Sequence, residues 1–432
     1  MPARVWIEDL WNYVGKDVVV KGWIHRLRIL GGINFALIRD RSGVVQVVDE
    51  KKLLSNFRHE NVVEIAGEVI EEKRAPGGIE IRLKDAKLLG EVYYESHLPV
   101  QIHSDRSVSR LKLETLLKYR VLTLRNPRQR AIFRLMNTVV DAFREYLKNE
   151  KFTEIHTSKI VASATEGGAE LFKIDYFGRK AFLAQSPQFY KQIMVGVFER
   201  VFEVGFVYRA EKHDTPRHLN EYLSLDVEVG FITGLDDLLE LETGLLKHIF
   251  KKVREKNEEE LKLFNAQIPD IEAIPRLTLK EATEILKKDF GKPVIGLDLD
   301  AEGERLITEY ARMRWGTELV FITHYPLSKR PMYTYPDPAN PELSLSFDLI
   351  FRGLEITTGG QRIHNYMMLV EKIKERGLDP DDFSYYLDAF KFGMPPHGGF
   401  AIGAERLVAR ILNLPNIRMA SLFPRDRHHL HP

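Results

Sequence analysis

Between Glu221 and Val229 the chain alternates almost without fault. Tyr222, Ser224, Asp226 and Glu228 fall on one side, Leu223, Leu225, Val227 and Val229 on the other. A period of two fixes an extended strand, and this alternation suits an antiparallel pair with one buried and one polar face. The run from Val207 to Glu211 supplies a partner, with Arg209 and Glu211 expected on one face because they are two apart. A solvated face accounts for polar residues in general. It accounts less well for an arginine, several acids and an aromatic in register. Between the runs lies a basic loop, Lys212-His213-Asp214-Thr215-Pro216-Arg217-His218, and these residues alone leave a charged hairpin and a ligand site equally open.

A chain of 432 residues has room for two or three domains and a full core. The absence of cysteine excludes disulfides, thiolate zinc sites and a cysteine nucleophile. Lys+Arg 63 against Asp+Glu 62 leaves a net charge of +1, so any nucleic-acid binding has to come from local surfaces. No apolar run approaches the roughly 20 residues that span a bilayer. The opening Met-Pro-Ala-Arg-Val-Trp-Ile-Glu-Asp-Leu is acidic too early for a secretory signal. The expectation is a cytoplasmic chain with no membrane segment.

The fold class expected is α+β. Residues 1–100 read as about five short strands, with turns at Arg41-Ser42-Gly43 and Ala75-Pro76-Gly77-Gly78, and suggest a small barrel. A polar stretch over 101–128 reads as a hinge, and 129–432 as the second domain. There Ile132, Leu135, Met136, Val139, Val140, Phe143 and Leu147 mark a helix over 128–150. A long amphipathic helix is expected over 235–263, its charged run Lys256-Asn257-Glu258-Glu259-Glu260 a solvated face.

Two further pieces carry possible chemistry. One is a polar strand from Asp348 to Ile356 that runs on into Thr357-Thr358-Gly359-Gly360-Gln361-Arg362; an acid, a hydroxyl and an arginine there could hold a metal and an anion, and a salt-bridged strand end is the simpler reading. The other is Gly398-Gly399-Phe400-Ala401-Ile402-Gly403-Ala404-Glu405-Arg406, glycines leading through a short strand into a helix, where backbone can approach a phosphate. It fits neither the Walker A nor the Gly-x-Gly-x-x-Gly pattern, and glycine for close packing remains open.

Taken together and in this order, these pieces resemble the three motifs of the class II aminoacyl-tRNA synthetases. Motif 1 corresponds to the helix over 130–150 with the segment from Phe152 to Ile160, motif 2 to Tyr208-Arg209-Ala210-Glu211 through Glu228, and motif 3 to Gly403-Ala404-Glu405-Arg406. Ser158 stands where motif 1 usually has proline; that motif builds the dimer interface in the family, and a homodimer is expected. The N-terminal barrel then resembles an OB-fold, and the larger domain the class II catalytic domain, an antiparallel sheet flanked by helices. Within class II the chain resembles subgroup b, and in it the shorter archaeal-type aspartyl enzymes, through Gln185-Ser186-Pro187-Gln188-Phe189-Tyr190-Lys191 (similar to that enzyme's substrate strand), Ala164-Thr165-Glu166-Gly167-Gly168, Phe347-Asp348 and His397-Gly398-Gly399.

The resemblance implies ATP-dependent formation of aspartyl-adenylate, then transfer to the tRNA 3′ end, with Arg209 and Arg406 as catalytic residues. For aspartate it implies Glu166 at the ammonium group, with Gln188, Lys191, Arg209, Thr358 and Arg362. A β-carboxylate wants fixed cations, Lys191 as a point charge and Arg362 as a fork. For ATP it implies Arg209 at the α-phosphate, Glu211 at the adenine amino group, Arg217 and His218 at the distal phosphates, and Tyr222 and Arg406 on the two faces of adenine, with Leu219, Glu355, Gly403, Ala404 and Glu405 beside them. Glu355 and Thr358 would ligate Mg²⁺; the family more often has serine at the latter position.

In the barrel, Phe35 and Gln46 fall at the family's positions for stacking on and bonding to the middle anticodon base, and Arg26 and Arg28 could meet phosphates. Taken alone, Phe35 reads as core. Discriminating relatives resemble Gly-Trp-Val-Trp, with lysine in the later turn; here Gly22-Trp23-Ile24-His25 and Pro76 match the relaxed type. The expected partners are therefore tRNA(Asp) and tRNA(Asn). The alternatives are a discriminating aspartyl enzyme, an asparaginyl enzyme, and a synthetase-like RNA-binding protein without ligase activity.

Overall fold

The computed structural model describes residues 4–94, 97–163, 170–212, 214–293, 296 and 298–431. The chain divides into two compact units, 1–112 and 113–432. The stretch over 101–128 carries the short helices Asp105–Ser109, Leu113–Lys118 and Arg120–Thr123 and is shared between the units.

The first unit is a closed five-stranded barrel of Asp17–Ile29, Asn34–Arg39, Val44–Asp49, Val62–Glu71 and Ile79–Gly90, the last strand lying between the third and the fourth. Alternation drives it: Val18, Val20, Ile24, Ala36, Ile38, Val45, Val47, Val63, Ile65 and Ile81 all point inward. Phe35 is not among them, and it stands half-buried on the outer side. Pro76-Gly77-Gly78 makes the turn before the last strand, with φ of 79° at Gly77 and 76° at Gly78, a conformation that favours glycine.

The second unit is built on an eight-stranded sheet in the order Arg276–Thr278, Leu319–Thr323, Ser346–Phe351, Leu354–Arg362, His397–Gly403, Glu221–Gly230, Arg200–Tyr208, Thr153–Glu154. Only the outermost pair at each end is parallel. Helices Pro127–Asn149, Leu235–Lys256 and Ala404–Ile411 share one apolar core with these strands. Asn126 caps the first of them through its side-chain oxygen, ahead of Pro127.

Four expectations need correction. The long helix breaks at Asn257, and a second helix, Glu258–Phe264, follows. The charged run is not wholly solvated, because Asn257 and Glu260 are buried, Glu260 against Arg134. The polar strand from Asp348 to Ile356 is two strands joined by a tight turn at Arg352-Gly353, both with positive φ. The segment from Gln185 to Lys191 is no strand either; it enters the helix Gln188–Phe198.

Where His397–Gly403 pairs with Glu221–Gly230, Gly399 lies opposite Glu228. A Cβ at Gly399 would overlap the Val227 carbonyl oxygen and the Glu228 carboxylate. Gly399→Ala should therefore force the two strands apart and lower the unfolding free energy by about 1–3 kcal/mol, read from urea denaturation.

Candidate active site

The polar face of Glu221–Gly230 is the floor of a cleft of about 710 Å³, and it is covered rather than solvated: Ser224, Asp226 and Glu228 are all buried. Four charges meet there. Lys191 Nζ, from the first turn of Gln188–Phe198, lies 3.1 Å from Asp226 Oδ1 and 3.2 Å from Glu228 Oε2. Arg362 Nε donates to Glu228 Oε1 at 3.0 Å, and its Nη2 to the Gly399 carbonyl at 3.0 Å. Burial alone would raise the Glu228 carboxyl, but Arg362 and then Lys191 outweigh it and hold the group below the usual carboxylate range.

Beside this quartet, His397 is enclosed. Gln192 Nε2 lies 2.8 Å from its Nε2, the Pro395 carbonyl 2.9 Å from its Nδ1, and Tyr386 donates to Gln192 Oε1 at 2.9 Å. The chain of donors requires a neutral ring protonated at Nδ1, and burial pulls its pKa down to about 4.

Further along the cleft stand Arg209, Glu211, Arg217, His218, Leu219 and Tyr222 from the hairpin, Glu355, Thr358 and Gly403 from the other strands, and Glu405 and Arg406 from the start of the helix Ala404–Ile411. Strand pairing ends at Tyr208, so Arg209 and Glu211 do not share a strand face as expected. Asn220 gathers them instead: its Nδ2 donates to both of their carbonyls, at 2.6 and 3.0 Å. Arg406 Nη1 donates to the Glu355 carbonyl at 2.9 Å and to Glu355 Oε1 at 3.2 Å. Glu405 faces inward: both its oxygens accept from Leu223 N–H at 3.1 Å, and burial pushes its pKa up to about 7. Ala404 is buried in the core at the helix start.

Glu355 and Thr358 are three apart, which a regular strand would send to opposite faces. The ladder shifts register between Leu349 and Ile350, opposite Thr357 and Glu355, and the extra residue turns both side chains to one side, Thr358 Oγ1 donating to Glu355 Oε1 at 3.0 Å. Two hard oxygen donors facing the cleft fit Mg²⁺, which keeps several waters and takes few protein ligands. Asp348, whose buried Oδ1 has no hydrogen-bond partner, is close by but committed to Arg330 at 2.9 Å.

Glu166 lies outside the described residues. In the barrel, Arg26, Arg28, Phe35 and Gln46 share the outer face of neighbouring strands, with Arg28 opposite Phe35 and Gln46 bonded to Glu80 at 2.8 Å. Pro76 is exposed, whereas His25 is buried. Asp226, Glu228, Gln192, Tyr386 and Glu304 had no assigned role in the sequence. The first two were visible as a polar strand face, but nothing local marks the others.

These side chains converge on one face of a mainly antiparallel sheet. Residues 112–427 match the tRNA synthetases class II (D, K and N), and 18–89 the OB-fold nucleic acid binding domain. The chain belongs to the class II tRNA synthetases. It is 50% identical to the Aspartate--tRNA(Asp/Asn) ligase of Thermus thermophilus over 99% of this chain and 100% of that one. It is 45% identical to the Aspartate--tRNA(Asp) ligase of Pyrococcus furiosus over 97% of each. Among solved structures, the asparaginyl-tRNA synthetase from Pyrococcus horikoshii complexed with asparaginyl-adenylate superposes with a TM-score of 0.91 at 33% identity, covering 100% of both chains. A putative aspartyl-tRNA synthetase from Leishmania major Friedlin gives 0.89 at 29%, covering 100% of this chain and 95% of that one.

Replacing Lys191 by leucine takes from buried Asp226 the cation at 3.1 Å and leaves Glu228 paired with Arg362. Stability should fall by about 3–5 kcal/mol. Adding Asp226→Asn should recover part of that loss in the same urea titration.

Proposed function

We propose that this chain is an aspartate–tRNA ligase that charges both tRNA(Asp) and tRNA(Asn). The observation that carries the reading is the convergence, in one cleft, of a buried lysine–arginine pair at the floor with the motif 2 and motif 3 side chains along its walls. Asparaginyl and aspartyl structures fit this fold about equally, so the choice of amino acid rests on Lys191, Arg362 and the sequence relatives. Lys191 and Arg362 are already shared with Asp226 and Glu228, and a β-carboxylate draws on the same two cations.

The α-carboxylate of aspartate attacks the α-phosphorus of ATP; a P–O bond forms and the bond to pyrophosphate breaks. The terminal ribose hydroxyl of tRNA then attacks the carbonyl, and AMP leaves. No side chain is a covalent nucleophile, so positioning and charge neutralisation carry the rate. Arg209 neutralises the α-phosphate, Glu211 accepts from the adenine amino group, and Tyr222 and Arg406 enclose the base. Arg217 and His218 hold the distal phosphates; Gln188 and Glu166 complete the aspartate site. Glu355 and Thr358 would hold Mg²⁺, and the ion would supply charge neutralisation at the phosphates. The chain acts as a homodimer through the helix Pro127–Asn149 and the segment after it, and the barrel reads the anticodon through Phe35 and Gln46, with Arg26 and Arg28 on phosphates.

Glu355→Gln should cut ATP–pyrophosphate exchange while leaving tRNA affinity unchanged; an equal loss of both would point to misfolding. Exchange should depend on aspartate and not on asparagine. The test of tRNA choice is kcat/KM on both transcripts, expected to be of the same order. Pro76→Lys, alone and with His25→Trp, should shift the ratio toward tRNA(Asp). A parent that prefers tRNA(Asp) by orders of magnitude would overturn the dual reading and leave the aspartyl one standing.

A further inference from the structure

Arg217 lines the cleft with its guanidinium already engaged. Its guanidinium is paired with the carboxylate of Glu304, from the first turns of the helix Ala301–Trp315. Glu304 is buried, and one of its oxygens also accepts from the Glu355 backbone N–H at 2.6 Å. Arg406 closes the circuit: its Nη1 bonds Glu355, and its Nη2 lies 3.4 Å from the Arg217 carbonyl. A third arginine borders the pair. Arg410, on Ala404–Ile411, feels both Arg217 and Glu304, and its buried Nε has no hydrogen-bond partner.

We infer that Glu304 is a holding site for Arg217 that competes with the nucleotide's distal phosphates, and that Arg410 takes over Glu304 when Arg217 leaves. Glu304 is then a positioning residue for the reaction; it touches neither substrate. A phosphate gains Arg217 only by breaking an ion pair, so part of its binding energy is spent inside the protein. The buried carboxylate left behind would be costly alone, and the charge of Arg410, which already acts on Glu304, offsets part of that cost. Because Glu304 also fixes the Glu355 N–H, the same carboxylate ties the basic loop to the strand that carries the oxygen pair.

The inference rests on the reading of Arg217 as a distal-phosphate ligand, and the test separates the two. Binding of ATP and of AMP, which lacks distal phosphates, is measured on the full chain by calorimetry. Glu304→Gln keeps an acceptor for Glu355 N–H but weakens the hold on Arg217. It should tighten ATP by about three- to ten-fold and leave AMP unchanged, with KM for ATP falling and kcat not rising. In an Arg217→Ala background that tightening should vanish. Arg410→Gln should act in the opposite direction, weakening ATP against AMP, and serves alone if the Glu304 variant does not fold. Equal weakening of ATP and AMP by Glu304→Gln, or an unchanged ratio of the two, overturns the inference. Arg217→Ala leaving the ATP-to-AMP ratio unchanged overturns the phosphate reading of Arg217, and the holding role falls with it.

Discussion

Glu228 sits fully enclosed between a lysine and an arginine, and much of the second unit is arranged to make that possible. A carboxylate stripped of water is tolerable only if its charge is met on several sides. Lys191 meets it from a helix, and Arg362 from the far strand of the triplet. Gly399 on the strand between has no side chain to occupy the same space. Asp226 holds the other side of Lys191 and is itself braced by Ser224 Oγ at 2.6 Å. The quartet thus fixes one helix and three strands relative to one another. It also leaves Lys191 and Arg362 on the lining of the cleft.

A sheet of this kind delivers ligand groups economically, because each strand sends alternate residues to the same side. The cost is register: a period of two cannot place residues three apart together. The bulge opposite Leu349 and Ile350 breaks the period once, and it brings Glu355 and Thr358 to one face. The hairpin turn at Arg352-Gly353 has its own support: Arg352 reaches the Arg410 carbonyl at 2.9 Å and Glu318 at 2.8 Å.

The legible parts of this molecule are those where one period persists. Short strand-like runs set off by the turns at Arg41-Ser42-Gly43 and Ala75-Pro76-Gly77-Gly78 announced the barrel, and alternation from Tyr222 to Val229 announced the central strand. Spacing failed where the period is interrupted. Asp348 to Ile356 looked continuous because a two-residue turn of arginine and glycine hides easily between apolar residues. Lys256 to Glu260 looked solvated because charge alone does not reveal that Asn257 and Glu260 turn inward. Arg209 and Glu211 do stand near each other, but through Asn220 and not through a strand face. Glu304 had no local mark at all, since one acid among Glu302, Glu304 and Glu309 on an ordinary helix becomes special only when Arg217 arrives from 87 residues away.

The barrel carries the same lesson to the nucleic-acid side. From Ile24, regular alternation would turn His25 outward and Arg26 inward. The register shift between Ile24 and Arg26 makes His25 the extra residue; it is buried, and Arg26 and Arg28 both emerge on the face that Phe35 shares. Arg39 Nη1 lies 3.1 Å from His25 Nδ1 while it forks onto Glu60, with both bonds at 3.0 Å. Burial first, and then Arg39, bring the imidazole down to about 4, which keeps it neutral and able to accept from that guanidinium. The residue at position 25 therefore bears on the outer face through the strand: it sits buried in the bulge, beyond which Arg26 and Arg28 emerge. A tryptophan there would have to displace Arg39 or leave the interior, and either move would redraw the outer face.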